Sequence, residues 1–213
     1  MDPIPALYII LPLFAAFLIP VAGIFIPGFQ KILSSLVLLL LVVYSLFYYL
    51  ESPGGSFVTR VGGWEDVNSI PIAIYLVLDG LSAFLLLIIN VIGFLSVFYA
   101  ISYMQQYTAQ NNFYALFCLM VAGMNGVVLS GDIFNIYIFL EIAVISSYAL
   151  VAFGTEKREL EASFKYQVLG GVASLIILFS AGMLYWQTGT LNLADISRVL
   201  KENSYESPLL LTQ

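Results

Sequence analysis

Long apolar stretches separated by short polar ones run along almost the whole of this 213-residue chain. An apolar run of about 18 residues or more with few charges predicts a helix that crosses a bilayer. Hydropathy gives six such spans, which are Ala6–Ile26, Ile32–Leu50, Leu81–Tyr103, Phe113–Leu129, Ile133–Phe153 and Tyr166–Trp186. The pattern therefore predicts an all-α polytopic membrane protein with six transmembrane helices.

The polar stretches predict what lies outside the bilayer. Between the second and third spans, Pro53-Gly54-Gly55 and Gly62-Gly63-Trp64 punctuate short alternating stretches, which is typical of an ordered hairpin-like loop. Residues 191–203 have apolar positions at helical spacing with charges between them, which predicts an amphipathic surface helix. Residues 208–211 then look like the opening of a seventh apolar span, which indicates either a fragment or an unusual chain end.

These elements divide the chain into four parts. Residues 1–50 are predicted to form two N-terminal membrane helices, and residues 51–78 an extramembrane hairpin-like loop. Residues 79–186 are predicted to form a four-helix portion. Residues 187–213 hold the amphipathic segment and the start of the seventh helix.

Composition restricts the functions that this chain can serve. Hydrophobic residues make up 61% and charged residues 9%, with a mean hydropathy of +0.99, so the lipid bilayer is a predicted partner. The net charge of −6 and the lack of a basic stripe argue against nucleic acid as a partner. With one cysteine and no histidine, the chain lacks ligands for an iron–sulfur cluster, a histidine-bound haem or a zinc site. We therefore predict no cofactor and no catalytic or redox site.

The basic residues predict the orientation in the plasma membrane, because cytoplasmic segments carry an excess of lysine and arginine. With the N-terminus outside, more basic residues lie on the cytoplasmic side than on the outer side. The cytoplasmic set is Lys31, Lys157, Arg158 and Lys165, and the outer set is Arg60, Arg198 and Lys201. The sequence thus favours an N-terminus outside the cell.

A single carboxylate, Glu141, lies near the middle of the fifth predicted span. An acidic side chain at the centre of a membrane helix costs about 2.5–3.5 kcal/mol, so such residues face protein or water and usually mark an ion pathway. Tyr137 and Tyr148 share its helix face, and Ser147 is close to that face. Burial favours the neutral form of a carboxyl and a nearby cation favours the charged form, so this group could exchange protons. The alternative is a structural carboxylate that is hydrogen-bonded to a neighbouring helix.

Two charged residues near the span ends complete the candidate ion-translocation site. The helix from Glu141 to Phe153 covers about 18 Å. Lys165 lies at the start of the sixth span, which runs back antiparallel to the fifth, so it is predicted to lie about two turns from Glu141. It is either a cation coupled to Glu141 through water or a lysine that reaches the cytoplasmic headgroups. Asp132 precedes the fifth span, where it either caps the helix or stands at an ion entrance.

Several short motifs resemble the antiporter-like membrane subunits of the complex I superfamily. They are Leu78-Asp79-Gly80-Leu81-Ser82, Glu141 in the fifth span, Lys165-Tyr166 and Thr188-Gly189-Thr190, and their order covers most of residues 75–195. The family includes the large pump subunits of respiratory complex I, the D-type subunits of Mrp-type sodium/proton antiporters, and the corresponding subunits of membrane-bound hydrogenases. Residues 131–150 are more similar to the Mrp and hydrogenase versions than to the respiratory ones.

The resemblance implies a fold of fourteen helices, of which this chain matches the N-terminal part. That fold has two inverted five-helix repeats, each with a broken helix, and a central axis of alternating glutamates and lysines. Glu141 matches the fifth-helix glutamate, whose partner in the family is a lysine on the broken seventh helix. The chain is expected to stop where that helix begins. In this plan residues 79–186 are expected to carry the first ion-translocation half-site. The implied partners are other membrane subunits of a complex.

Three functions remain compatible with these residues, and we favour the first. It is translocation of protons, or of sodium ions, by a subunit of a redox-driven complex or an Mrp-type antiporter, with Glu141 as the group that loads and releases the ion. The second is a non-conducting membrane scaffold or half-subunit of such a complex. The third is an unrelated small-molecule transporter that carries a membrane glutamate.

Overall fold

The computed structural model describes residues 4–51, 55–62 and 73–206 of the chain. The helices in these ranges are α1 (Leu7–Ala22), α2 (Phe29–Glu51), α3 (Gly80–Tyr103), α4 (Gln110–Leu129), α5 (Ile133–Val151), α6 (Lys157–Thr188) and α7 (Leu193–Glu206). Strands β1 (Phe57–Val61) and β2 (Ile74–Leu78) lie between α2 and α3, and a short 3₁₀ helix, Met104–Gln106, follows α3. Most of the predicted turn motifs at 53–55 and 62–64, and the predicted opening of a seventh span at 208–211, lie outside the described residues.

Five of the described helices are long and apolar enough to cross a bilayer, and α1 is a shorter apolar helix. This result confirms the predicted all-α polytopic membrane fold. α1 has 16 residues and ends at Ala22, before the predicted Ile26, and the connection to α2 turns at Gly28, whose φ is +82°. α6 begins at Lys157 rather than Tyr166, because Glu156 and Glu159 form a reciprocal cap that starts the helix in polar sequence.

α4 is the centre of the bundle and packs against α1, α2, α3 and α5. The close approach of α4 and α5 depends on two glycines of α4. A Cβ at Gly123 would lie 2.6 Å from the backbone nitrogen of Ala143, and a Cβ at Gly126 would overlap the Phe139 ring. Small residues therefore allow these two helix backbones to approach closely.

β1 and β2 form an antiparallel hairpin, and β2 contacts α3 and α4. Leu76 and Leu78 of β2 are buried in the hydrophobic core of the bundle. The Gly131 N–H donates to the Tyr75 carbonyl at 2.9 Å, and the Leu193 N–H donates to the Gly131 carbonyl at 3.0 Å. The turn between α4 and α5 is therefore held between the hairpin and the start of α7, which sets the position of α5.

Aspartates cap the start of α3 and of α5. The Asp79 carboxylate accepts from the Ser82 N–H at 2.8 Å, and Asp132 accepts from the Phe134 and Asn135 N–H groups at 2.9 Å. Caps of this kind satisfy N–H groups that the first turn of a helix leaves unpaired. The Ser82 N–H lowers the pKa of the Asp79 carboxyl from its usual value, whereas desolvation raises the pKa of Asp132.

Candidate functional site

Glu141 lies half-buried on α5, at the border between packed and uncovered surface. Phe134, Ile138 and Ile145 lie on one side of its helix face, and their side chains are exposed. Tyr148 lies on the other side and is 8% exposed. The Glu141 carboxyl therefore has the packed bundle on one side and an open apolar helix face on the other.

The two tyrosines that were predicted to share this face have different surroundings. Tyr137 is half-buried, and its ring centroid lies 6.1 Å from that of Phe134. Tyr148 packs edge to face on Tyr166 of α6, with ring centroids 4.7 Å apart. The structure thus joins Tyr148, which lies on the helix face of Glu141, to α6.

Among the residues that the structure describes, no lysine or arginine forms an ion pair with Glu141. Lys165 instead pairs with Glu161, four residues earlier on α6, and its Nζ lies 2.6 Å from the glutamate oxygen. Both side chains are more than half exposed. Lys165 is thus an exposed cation next to Tyr166, and its ion pair is with α6 itself.

Ser147 and Asp132 lie apart from Glu141. Ser147 opens onto a cavity of about 390 Å³ between α3, α4, α5 and α6, whose lining is apolar except for Ser147 and Tyr166 and does not include Glu141. Asp132 precedes Glu141 by more than two helical turns, at 3.6 residues per turn, and its carboxylate is engaged as the cap of α5. Of the predicted site residues, Tyr137 and Tyr148 therefore share the helix face of Glu141, whereas Ser147, Asp132 and Lys165 have other surroundings.

The core of the bundle contains a buried polar cluster that hydropathy does not predict. Asn125 of α4 donates to Asn90 of α3 at 3.1 Å, and Asn90 donates in return at 3.5 Å. Asn90 also donates to the Ser45 hydroxyl of α2 at 3.3 Å. All three residues are at most 1% exposed. A signal for the cluster was present in the sequence, since each of them is a polar residue inside an apolar span.

A proline in α1 explains why the cluster extends to that helix. Pro12 has no N–H, so the carbonyl of Tyr8, four residues earlier, lacks its usual helical donor. The Asn125 amide donates to this carbonyl oxygen at 3.0 Å. The cluster therefore joins α1, α2, α3 and α4 through polar groups that would otherwise be unsatisfied in an apolar core.

Replacing Asn125 with leucine is expected to destabilise the protein by about 1–3 kcal/mol. A hydrogen bond between membrane helices contributes about 0.6–1.7 kcal/mol, and an unsatisfied buried partner adds to the loss. The check is the thermal unfolding temperature of the detergent-solubilised complex. Asn112→Leu, at an exposed position near the start of the same helix, is the matched control. Equal unfolding temperatures for the two variants would rule out a stabilising role for the cluster.

Two family models match separate parts of the chain. Residues 130–213 match the model described as "NADH:quinone oxidoreductase/Mrp antiporter, TM". Residues 64–114 match the model described as "NADH-Ubiquinone oxidoreductase (complex I), chain 5 N-terminus". The first match contains α5 with Glu141 and all of α6, and the second contains α3 with its cap at Asp79.

Individual relatives include subunits of NADH-quinone oxidoreductases and subunits of antiporters. The chain is 39% identical over 153 residues to the N-type subunit of the NADH-quinone oxidoreductase of Desulforudis audaxviator, an alignment that covers 71% of this chain and 29% of the relative. It is 29% identical over 169 residues to the D-type subunit of the Na(+)/H(+) antiporter of Alkalihalophilus pseudofirmus, which covers 79% of this chain and 34% of the relative. The chain thus spans about a third of the length of these relatives.

Solved structures of membrane complexes contain chains with the same fold. One is the membrane-bound sulfane sulfur reductase, an archaeal respiratory membrane complex, with a TM-score of 0.82, 32% identity, and coverage of 91% of this chain and 39% of that one. The Mrp complex from Dietzia sp. DQ12-45-1b gives a TM-score of 0.77 and 24% identity, with coverage of 92% and 39%. The second likeness concerns the fold alone.

Proposed function

Because this chain belongs to the antiporter-like membrane subunits of the complex I and Mrp antiporter superfamily, we propose that it translocates protons, or sodium ions, within a multisubunit membrane complex. The observation that carries this function is Glu141, a half-buried carboxyl within a helix that can span the membrane. A carboxyl in that position is costly, and such residues usually mark substrate or ion pathways. A carboxylate accepts either cation, so both ions remain candidate substrates.

In this mechanism Glu141 binds the ion when its surroundings lack positive charge and releases the ion when a cation approaches. The open face of α5 beside Ile138 and Ile145 is the side from which a cation elsewhere in the complex can reach it. An approaching cation favours the ionised carboxylate, and its withdrawal favours the protonated form. Moving one charge through about 100 mV requires about 2.3 kcal/mol. Since one pH unit corresponds to about 1.4 kcal/mol, a change in proton affinity of less than about two pH units is sufficient.

The remaining candidate residues support this step. Tyr137 and Tyr148 lie on the Glu141 face of α5, where Tyr137 orders water next to the carboxyl and Tyr148 packs α5 against α6. Ser147 opens onto the cavity on the other side of α5. Asp132 stands at the N-terminal end of α5, where it meets ions that enter the site. Lys165 supplies positive charge at the opposite end.

We place the protein in the plasma membrane with its N-terminus outside, as the basic residues favour. This orientation puts Lys165 on the cytoplasmic side and the hairpin on the outer side. The partners are other membrane subunits, because the solved structures that share this fold are multisubunit membrane complexes.

The experiment that tests the proposed function is Glu141→Gln in the intact complex. This substitution removes the ionisable group and keeps the size of the side chain. Loss of transport in a fully assembled complex would support ion translocation through Glu141. Unchanged transport would favour the second candidate, a non-conducting membrane scaffold.

Replacing Lys165 with methionine is expected to slow transport by less than about fivefold, because an exposed ion pair contributes at most about 1 kcal/mol. The initial rate of ion uptake into sealed vesicles that contain the intact complex checks this. Glu161→Gln is the matched control, since it removes the partner of Lys165 and keeps the lysine charge. We expect this control to slow transport no more than Lys165→Met does, because it breaks the same ion pair. Complete loss of transport in Lys165→Met would show that Lys165 belongs to the ion pathway itself.

A further inference from the structure

A cavity of about 740 Å³ opens at the end of the bundle that carries the β1–β2 hairpin. Its lining comes from the hairpin, from the first turns of α3, from the end of α4 with the turn after it, and from the start of α7. Consecutive spans run in opposite directions, so the start of α3, the end of α4 and the start of α7 lie at one surface of the membrane. The cavity therefore lies at the level of the lipid headgroups on that side.

Most of the cavity lining is apolar. The apolar side chains include Val77 of β2, Leu81 and Leu85 of α3, and Leu193 of α7. The described part of the chain leaves Leu81 67% exposed and Leu193 41% exposed. A volume of about 300–1,000 Å³ is typical of a site for a small ligand. A lipid acyl chain is an apolar ligand that is present at this depth, and it would cover these side chains from water.

Three charged residues, Asp79, Asp195 and Arg198, also line the cavity. The Arg198 Nε donates to a carboxylate oxygen of Asp195 at 3.0 Å, and Nη2 donates to the same oxygen. A guanidinium has further N–H groups, and those of Arg198 make no hydrogen bond in the described part of the chain. The Arg198 side chain is 57% exposed, so these N–H groups are accessible to a ligand at the mouth of the cavity.

We propose that this cavity binds one phosphatidylethanolamine molecule of the membrane. The lipid phosphate accepts from the N–H groups of Arg198 that Asp195 does not use, and the lipid ammonium donates to the carboxylates of Asp79 and Asp195. One acyl chain lies along the apolar part of the lining. Two carboxylates and one guanidinium give the lining a net negative charge, which favours a headgroup with an ammonium over an anionic headgroup.

The charged residues argue against a segment of protein as the occupant. A helix or loop that filled the cavity would remove Asp79, Asp195 and Arg198 from water, and the desolvation of charged groups is costly. A lipid headgroup stays at the water interface and brings charges of both signs to these residues. A bound lipid contacts the hairpin, α3 and α7 together, so it holds α7 against the bundle. The site does not depend on the role of Glu141, which does not line this cavity.

The test is a titration of the intact, delipidated complex in detergent with phosphatidylethanolamine, in which native mass spectrometry counts the bound lipids. Arg198→Gln is expected to lower the affinity of one lipid per copy of this subunit about tenfold, because a charge-assisted hydrogen bond is lost. Ala194→Trp fills the cavity from α7 and should remove this lipid altogether. Lys201→Gln and Ser197→Trp are the matched controls, since both residues are exposed on α7 outside the lining and should keep the wild-type count.

Equal binding of phosphatidylethanolamine by the wild type, Arg198→Gln and Ala194→Trp would overturn the site. A wild-type complex that binds no such lipid, as when another segment of protein fills the cavity, would overturn it as well. Phosphatidylglycerol with the same acyl chains is expected to bind the wild type more weakly, and equal affinity for the two lipids would contradict the headgroup assignment. If Ala194→Trp prevents assembly, the affinity of Arg198→Gln decides.

Discussion

Replacing Glu141 with glutamine is expected to abolish ion transport by the intact complex and to leave its assembly unchanged. Glutamine has nearly the same shape as glutamate, but its amide neither binds a proton at neutral pH nor carries a charge. The substitution breaks no ion pair among the described residues. Removing a charge from the middle of a membrane helix also lowers the cost of placing that helix in lipid. The fold should therefore be kept while the exchangeable ion is lost.

Ion uptake into sealed vesicles and the amount of assembled complex are the two measurements that this prediction requires. Glu141→Asp keeps the acid on a shorter side chain and is expected to retain part of the transport. Glu202→Gln removes an exposed carboxylate from α7 and serves as the matched control, with transport at the wild-type rate. Wild-type transport by Glu141→Gln would remove Glu141 from the pathway and make a scaffold the better account.

Replacing Gly123 with valine is expected to destabilise the protein by about 3 kcal/mol, at the upper end of the cost of overpacking a core. A Cβ at this position would lie 2.6 Å from the Ala143 nitrogen and 2.8 Å from the Phe139 carbonyl oxygen. These are backbone atoms, which cannot turn aside as the end of a flexible side chain can. α5 as a whole must therefore move away from α4, and Glu141 moves with it.

The thermal unfolding temperature of the solubilised complex and the yield of assembled protein measure this effect. Gly182→Val on α6 is the matched control, because a Cβ there would meet no atom within 4 Å. Both variants carry the same cost of a β-branched residue in a helix, so their difference isolates the contact between α4 and α5. Similar stability for the two variants would show that this contact is looser than the structure indicates.

The membrane helices could be predicted from the sequence because one property, an apolar run of bilayer length, determines where they lie. The start of α5 at Ile133 follows directly, since Asp132 both ends the polar stretch and caps the helix. The length of α6 does not follow from hydropathy. Its cap at Glu156 starts the helix in polar sequence, where capping rather than apolarity determines the boundary.

The candidate site could be predicted only in part. Glu141 stands out in its apolar run, and the comparisons confirm the family that the motifs around it indicate. The pair Lys165 and Glu161 has the four-residue spacing of a helix-surface ion pair, so its formation follows from the sequence as well. The bonds of Asn125 do not, because they depend on which faces of neighbouring helices meet.

The surroundings of Ser147 could not be predicted from helical spacing. It is adjacent to Tyr148 in the chain, yet it faces a cavity, whereas Tyr148 faces Tyr166 and Gly170 of α6. Helical spacing gives the angle between two side chains, but the packing of α4 and α6 decides what each of them faces. The helix face of Glu141 could therefore be predicted from the sequence, whereas the residues that pack beside it could not.

Infrared difference spectroscopy of the intact complex tests most directly whether Glu141 carries the transported ion. Spectra recorded before and during turnover report a change in the protonation of a carboxyl group, and isotope exchange of the solvent identifies the band as carboxylic acid. We expect a carboxyl band that changes on turnover in the wild type and in Glu202→Gln and that is missing in Glu141→Gln. The same band in Glu141→Gln would mean that another carboxyl carries the ion, which would contradict the role of Glu141.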